Sequence, residues 1–234
     1  MRVALVTGAS GGLGSALASG LDRMGFRVII HYHSNVEAAS GLAKRLKNSP
    51  ILIRADLSNY EEVKGASEKL RAETDRLDLI VNNASITHDA LLLRLKESEW
   101  DRVVKVNLKG AFNTVKHFCP LMIESGGGHI INISSFSGLR GKAGQAAYAS
   151  TKAALIGFSL TLARELSGYN IKVNTIVPGY LPVGMGARAE EAMKRARLDS
   201  LLDSLSNTER VVEFIGFLIK HDITGQVFCL ESRI

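Results

Sequence analysis

Thr7-Gly8-Ala9-Ser10-Gly11-Gly12-Leu13-Gly14 follows directly on the apolar run VALVT (3–7) and leads into an amphipathic stretch near 13–24. A strand that empties into glycines and then into a helix is the opening of a βαβ unit. Glycines at 8, 12 and 14 let the chain turn tightly and let its backbone come close to a bound pyrophosphate. The helix that starts there offers unpaired N–H groups and the positive end of its dipole to such an anion. The spacing TGxxxGxG is neither GxGxxG nor a Walker loop, since no GK[ST] follows. A plain tight turn is the competing reading, and the strand before and helix after argue against it.

Outward from this loop, short β-branched runs alternate with helical patterns. The further strands expected are VIIHY (28–32), ILIRA (51–55), LDLIVN (77–82), HIINIS (129–134), KVNTIV (172–177) and QVFCL (226–230). Helical periodicity falls near 13–24, 35–47, 59–74, 97–124, 147–167 and 207–220, with another helix over 186–204. This alternation predicts an α/β fold: a Rossmann-type, doubly wound parallel sheet of about seven strands with helices on both faces. No repeat, low-complexity tract or linker divides residues 1–234, so a single dinucleotide-binding domain is expected. Pro178-Gly179 and Gly184/Gly186 bracket a connection read as the start of a substrate lid at about 179–206.

Composition narrows the function classes. The chain has 46% hydrophobic and 22% charged residues with a mean hydropathy of +0.09, ordinary values for a globular protein. No apolar run reaches the ~18 residues of a membrane span, and the glycine-rich start does not suit a signal peptide, so a cytoplasmic location is expected. Cys119 and Cys229 lack a CxxC partner and are read as buried free thiols. His31 and His33 could share a strand face, but no acidic or cysteine ligand accompanies them, and no metal site is expected. The net charge is +6; its densest cluster, Arg188, Lys194, Arg195 and Arg197, is interleaved with Glu190 and Glu191 and holds no aromatic residue. That pattern suits a solvated helix face better than nucleic-acid binding.

Tyr148 and Lys152 stand four apart in a helical stretch and so share one face. A free phenol, with a pKa of ~10, is a poor base near neutrality, and a nearby ammonium favours phenolate. Lowering it by about three units corresponds to roughly 4 kcal/mol of differential stabilisation. Ser134 and Ser135 both lie at the exit of the HIINIS strand, and alternation does not choose between them. No GxSxG elbow and no singled-out histidine support a hydrolase.

Taken in order, TGASGGLG (7–14), Asp56-Leu57, NNA (82–84), Asn107 within KVNLKG, Ser135 ahead of YASTK (148–152) and Pro178-Gly179 resemble the short-chain dehydrogenase/reductase family. The likeness runs from Arg2 to about Leu230. The stretches NNASITHDALLLRLKESEWDRVVKVNLKGAF and GQAAYASTKAALIGFSLTLARE are especially similar to bacterial β-ketoacyl-acyl-carrier-protein reductases. The resemblance implies Tyr148 as proton donor and Lys152 as the holder of the ribose hydroxyls. It makes Ser135, rather than Ser134, the partner of the substrate oxygen, and Asn107 the brace of its helix and support of a water chain to Lys152. It places the cofactor against Thr7, Gly8, Ser10, Gly12, Leu13 and Gly14, against Tyr32, His33 and Ser34 after the second strand, and against Asp56 and Leu57. Asn82, Asn83 and Ala84 complete the adenosine side, and Pro178, Gly179 and Leu181 the nicotinamide side.

An NAD site usually carries a carboxylate after the second strand; here Tyr32 and His33 stand there, which favours NADP(H) over NAD(H). Against it, Gly11 occupies a loop position where NADP-using relatives often have arginine. The implied reaction is hydride transfer from NADPH to the 3-oxo group of an acyl thioester, with acyl carrier protein as a partner. The alternative is a reductase or dehydrogenase of another carbonyl or secondary alcohol. A non-catalytic cofactor sensor is disfavoured by the presence of Tyr148 and Lys152. Departures from the pattern are Ser85 in place of glycine, Val183 in place of threonine, a Leu230–Ile234 end without Asp-Gly-Gly, and Gly126 and Tyr169 where carrier-protein reductases often have basic residues. A homotetramer built from dimers is expected. The helices at 97–124 and 147–167 carry apolar residues beyond one stripe: Val103, Val106, Ala111 and Phe112 on the first, Leu155, Phe158, Leu162 and Leu166 on the second.

Overall fold

A computed structural model describes residues 1–184, 186–188, 190–202 and 205–233, with the side chains of Arg188 and Ala192 left out. Seven parallel strands form one sheet in the order β3-β2-β1-β4-β5-β6-β7. They are β1 (Val3–Val6), β2 (Arg27–Tyr32), β3 (Ile51–Arg54), β4 (Leu79–Asn82), β5 (Gly128–Ile133), β6 (Ile171–Pro178) and β7 (Val227–Leu230). Strand order reverses between β1 and β4, and a crevice opens beyond the carboxyl ends of the strands at such a point.

β1 shows how the two cores are divided. Val3 and Leu5 point to one face, against Val63, Ala66 and Leu70 of α3 (Tyr60–Glu73), Val115, Phe118 and Leu121 of α5 (Gly110–Glu124) and Leu162 of α7 (Ala146–Leu166). Ala4 and Val6 point to the other, against Leu17 and Leu21 of α1 (Gly12–Arg23), Leu42 of α2 (Val36–Ala43) and Val211, Ile215 and Leu218 of α9 (Thr208–Lys220). Both faces are covered, so the strands read as near-continuous apolar runs.

The structure departs from the sequence reading in four places. The helix expected over 97–124 is α4 (Glu97–Val104), a π-helical turn (Lys105–Lys109) and α5. The widened turn holds Asn107, whose buried amide spends its hydrogen bonds outside its own helix. A short helix, α6 (Phe136–Arg140), follows β5, its first turn capped by Ser135 Oγ accepting from the N–H of Ser137 at 3.2 Å. Over the expected helix 186–204, a 3-10 turn (Gly186–Arg188) and α8 (Glu190–Leu198) are described; Met185, Ala189, Asp203 and Ser204 lie outside the described residues. Cys119 is buried as read, but Cys229 is exposed, on β7 at the edge of the sheet.

Candidate active site

The phosphate loop joins β1 to α1, and its shape is set by close approach. Gly8 has φ +64°, a conformation that side chains resist, and a Cβ on it would sit 2.9 Å from Ala84 Cα. A Cβ on Gly14 would sit 2.2 Å from the carbonyl oxygen of Gly8. The N-cap, Gly11, supplies no side-chain cap to α1, so the first-turn N–H groups of Gly12, Leu13 and Gly14 are left for an anion. Thr7 Oγ1 accepts from the N–H groups of Asn83 (2.9 Å) and Ala84 (3.0 Å), and Asn83 Nδ2 donates to the Thr7 carbonyl at 2.9 Å. Thr7 and Asn83 therefore bolt the loop to the end of β4. Asn82 points elsewhere: its Nδ2 donates to Asn132 Oδ1 at 2.8 Å, and Asn132 donates to Ser159 of α7 at 2.7 Å. Its own Oδ1 is buried without a partner among the described residues.

The catalytic candidates converge where β5 ends and α7 begins. Ser134 is buried and donates to the Lys152 carbonyl at 2.7 Å, whereas Ser135 is half-buried and its hydroxyl is turned toward the Tyr148 phenol. The two serines left open by alternation are thus separated by direction. Lys152 is 2% exposed; its Nζ donates to the Ile133 carbonyl at 2.8 Å and lies 5.6 Å from the centre of the Tyr148 ring. Burial lowers Lys152 to about 8. Burial pushes the Tyr148 phenol up, the Ser135 hydroxyl acts against it, and the Asp89 carboxylate adds to the rise. The direction is the reverse of that expected from the Tyr-Lys spacing, because burial of the phenol is the largest influence on it. Asn107 accepts from the Ile86 N–H at 2.8 Å and donates to Thr151 Oγ1 at 3.1 Å, so it braces the residue next to Lys152.

Sequence reasoning missed a network above this pair. Gln145, three residues before Tyr148, donates from Nε2 to both oxygens of Asp89 (3.2 and 3.0 Å) and accepts from Ser137 Oγ at 2.9 Å. It ties the loop after β4 to α6 and to the start of α7. Its one signal was position within GQAAY, which periodicity does not interpret.

On the adenosine side, Asp56 Oδ1 accepts from the N–H and hydroxyl of Ser58 (2.9 and 2.8 Å), and its Oδ2 lies 4.0 Å from His33 Nε2. Partial burial would raise the Asp56 carboxyl, but the Ser58 hydrogen bonds and the imidazoles of His33 and His31 hold it below the usual carboxylate range. Leu57 is buried and its carbonyl accepts from Asn113 at 2.7 Å. Tyr32 packs half-buried on the core, whereas His33 and Ser34 are exposed. Arg54, which the sequence reading passed over, donates from Nε to the His33 carbonyl at 3.2 Å. His31, set aside there once a metal was excluded, sits inside the cradle, bonded to Gly8.

Beyond β6 the chain crosses back over the loop. A Cβ on Gly12 would sit 2.6 Å from the Gly184 nitrogen, so the backbone at Val183–Gly184 lies against the start of α1. Leu181 is half-buried on the core, and a Cβ on Gly179 would sit 2.7 Å from Ser206. The C-terminal departure has a role of its own. Glu231 accepts from the Tyr180 N–H at 3.2 Å and pairs with Arg233, whose guanidinium stacks 4.3 Å over the Phe136 ring next to Ser135. Leu201 donates to the Ser232 carbonyl at 3.0 Å, which fastens the end of the 179–206 segment to the same tail. Ser10 is half-buried in the loop, and Ser85 stands half-buried after Ala84. Gly126 and Tyr169 lie before β5 and β6, at the end of the sheet away from Ser135 and Tyr148.

A family model described as short chain dehydrogenase matches residues 2–194. The 3-oxoacyl-[acyl-carrier-protein] reductase FabG of Thermotoga maritima is 36% identical, over 100% of this chain and 97% of its own length. The protein of the same name from Staphylococcus aureus is 36% identical over 96% and 94%. Nodulation protein G of a Rhizobium species is 37% identical over 100% and 96%.

Proposed function

The chain belongs to the short-chain dehydrogenase family, an NAD(P)-dependent oxidoreductase, and within that family we propose that it reduces the 3-oxo group of an acyl thioester. The observation that carries the reading is the convergence of Ser135 and Tyr148 at the carboxyl end of β5, with Lys152 Nζ 5.6 Å from the Tyr148 ring centre, in a chain similar over its full length to 3-oxoacyl reductases. The cradle fits a dinucleotide: glycines stand where a Cβ would collide, and a helix N-terminus free of a side-chain cap faces the loop. Thr7 to Gly14 would hold the pyrophosphate, the turns at Tyr32–Ser34 and Asp56–Leu57 the adenosine, and Lys152 with Pro178–Leu181 the nicotinamide half. The bound nicotinamide supplies the hydride.

The residues of this chain manage the oxygen. Ser135 and Tyr148 receive the carbonyl oxygen between two hydroxyls, which stabilises the charge that develops on it. Tyr148 gives its proton to that oxygen, and a phenol raised by burial keeps the proton until it is needed. Lys152, buried and lowered to about 8, stands with its Nζ 5.6 Å from the centre of the Tyr148 ring, the nearby cation that opposes the charge left on the phenol. Asn107 fixes Thr151 and so the turn that carries Lys152.

NADP(H) is the preferred cofactor in this proposal. No carboxylate follows β2 at Tyr32-His33-Ser34, and Arg54 adds a permanent positive charge beneath His33. Residues 1–234 form one cofactor-binding domain with a lid over 179–206. The assembly is a homotetramer, a dimer of dimers: Val103, Ala111, Leu155 and Leu162 are consumed by the chain's own core, but Phe112 (43% exposed) and Leu160 (41%) leave apolar surface on α5 and α7. Among the described residues no helix is long and apolar enough to cross a membrane.

A second reading, reduction of another carbonyl or secondary alcohol, is favoured by the missing positive charge at Gly126 and Tyr169 and by Val183 at the nicotinamide side. One experiment separates them. Oxidation of NADPH and NADH is followed at 340 nm with acetoacetyl thioesters on carrier protein, on coenzyme A and on a truncated thiol, at low and moderate salt. Carrier-dependent efficiency that falls with salt supports electrostatic docking. No activity on any thioester, with activity on a simple ketone, replaces the first reading by the second.

A further inference from the structure

His31 is the penultimate residue of β2, 4% exposed, and it touches two parts of the cradle that are distant in sequence. Its Nδ1 accepts from the N–H of Gly8 at 3.0 Å, and its Nε2 lies 3.0 Å from the carbonyl oxygen of Ala55. A backbone N–H only donates and a carbonyl only accepts, so both bonds together require one tautomer, with Nδ1 bare and Nε2 protonated. The main chain repeats the link, since the N–H of Ala9 donates to the His31 carbonyl at 2.9 Å. Gly8 is the residue that turns the phosphate loop, and Ala55 precedes Asp56, so the imidazole spans the pyrophosphate side and the adenosine side of the site.

We propose that His31 is a positioning residue for the dinucleotide: its neutral imidazole locks the phosphate loop at Gly8 to the turn at Ala55–Asp56 and sets both in one register. The proposal rests on the family's NAD(P) cofactor and not on the thioester substrate. His31 meets no reacting atom, so it acts on cofactor affinity and leaves the chemical step alone. The imidazolium is incompatible with the lock, because it turns a second N–H toward the Gly8 N–H. Burial lowers His31 to about 4; the Ala55 carbonyl acts against this, His33 from the turn after β2 lowers it further, and Asp56 from the turn after β3 raises it. The lock is therefore closed throughout the neutral range.

The test titrates NADPH and NADH into the full-length protein and into His31→Leu and His31→Asn. Leucine fills the space but leaves the Gly8 N–H buried without an acceptor; asparagine restores one acceptor and one donor. His31→Leu is expected to weaken dinucleotide binding by about tenfold or more, the scale of a buried donor left unsatisfied. Turnover at saturating cofactor and KM for the carbonyl substrate should stay within about twofold, and His31→Asn should recover most of the affinity. Nitrogen NMR of the unsubstituted protein at neutral pH is expected to find His31 protonated at Nε2 alone, a readout that needs no variant to fold. An Nδ1–H tautomer or an imidazolium there overturns the proposal. So does a folded His31→Leu that binds the dinucleotide like the parent, or one that loses turnover while keeping its affinity.

Discussion

The phosphate loop at 7–14 and the segment that crosses it at Val183–Gly184 are held by different kinds of interaction. The loop is fixed by backbone sterics and buried hydrogen bonds: Gly8 against Ala84, Gly14 against the Gly8 carbonyl, Thr7 against Asn83, and His31 beneath. The crossing segment is tied largely by side chains from the far end of the chain, through Glu231 to the Tyr180 N–H and through Arg233 to Phe136. Short local bonds, such as Tyr180 Oη to the Gly186 carbonyl at 2.7 Å, shape it from within. A cradle built from backbone contacts tolerates few sequences and one geometry. A segment held largely by side chains accepts more sequences than one fixed by backbone contacts.

The largest effect should come from the rigid half. Tyr148→Phe is expected to lower turnover by at least ~10²-fold, the scale of lost general-acid catalysis, with cofactor binding little changed. Initial rates at saturating cofactor measure this, and near-normal turnover in a folded variant would remove Tyr148 from the role. Lys152→Ala should damage both turnover and cofactor affinity; a loss of turnover alone would withdraw the ribose contact.

Acid should loosen the cradle. In the folded chain the neutral form of His31 is favoured down to about 4, against 6.5 for an ordinary histidine. The unfolded chain therefore binds more protons between those two values, and stability is complete above 6.5 and falls as pH drops toward 4. The full shift corresponds to about 3 kcal/mol. Melting curves against pH, with amide exchange at Gly8 and Ala9, check both the size and the place; a flat profile over that window would contradict the buried neutral state.

Gly14→Ala ranks next. Its Cβ would fall 2.2 Å from the Gly8 carbonyl oxygen and 2.8 Å from Asn83 Nδ2. The overpacking should cost roughly 1–3 kcal/mol and weaken the cofactor along with the fold. A denaturation midpoint equal to the parent's would mean that the loop is less rigid than these contacts imply. The smallest effect belongs to the strap. Glu231→Gln keeps an acceptor for the Tyr180 N–H but gives up the charge opposite Arg233; it should raise KM for the carbonyl substrate by about two- to fivefold and leave cofactor affinity unchanged. The comparison between the halves fails if cofactor affinity moves instead.

Legibility divides along the same line. TGASGGLG, the strand alternation and the Tyr148–Lys152 spacing announced a doubly wound sheet and a site beyond its strands, and seven parallel strands stand close to where the pattern put them. These signals are local: a glycine needed for a close turn, a period of two, a spacing of four. The π-helical turn at Asn107 escaped because its cause is a bond to Ile86, 21 residues away in sequence. Gln145, Asp89 and Arg54 escaped because a polar side chain near a turn looks alike whether it faces solvent or a site.

By itself the sequence determined where the chain turns, which faces are apolar, and which residue types stand ready for hydride chemistry at a carbonyl. Only the tertiary structure decided where the shared hydrogen bonds go. It turned Ser135 toward Tyr148 and Ser134 toward the α7 backbone, sent Asn82 into the core, put Lys152 on the Ile133 carbonyl, and gave His31 two partners 23 and 24 residues away. The reason is physical: steric and hydrophobic preferences act between near neighbours and leave a periodic mark. A buried donor accepts any acceptor within reach, and reach is settled only when the sheet and helices have packed.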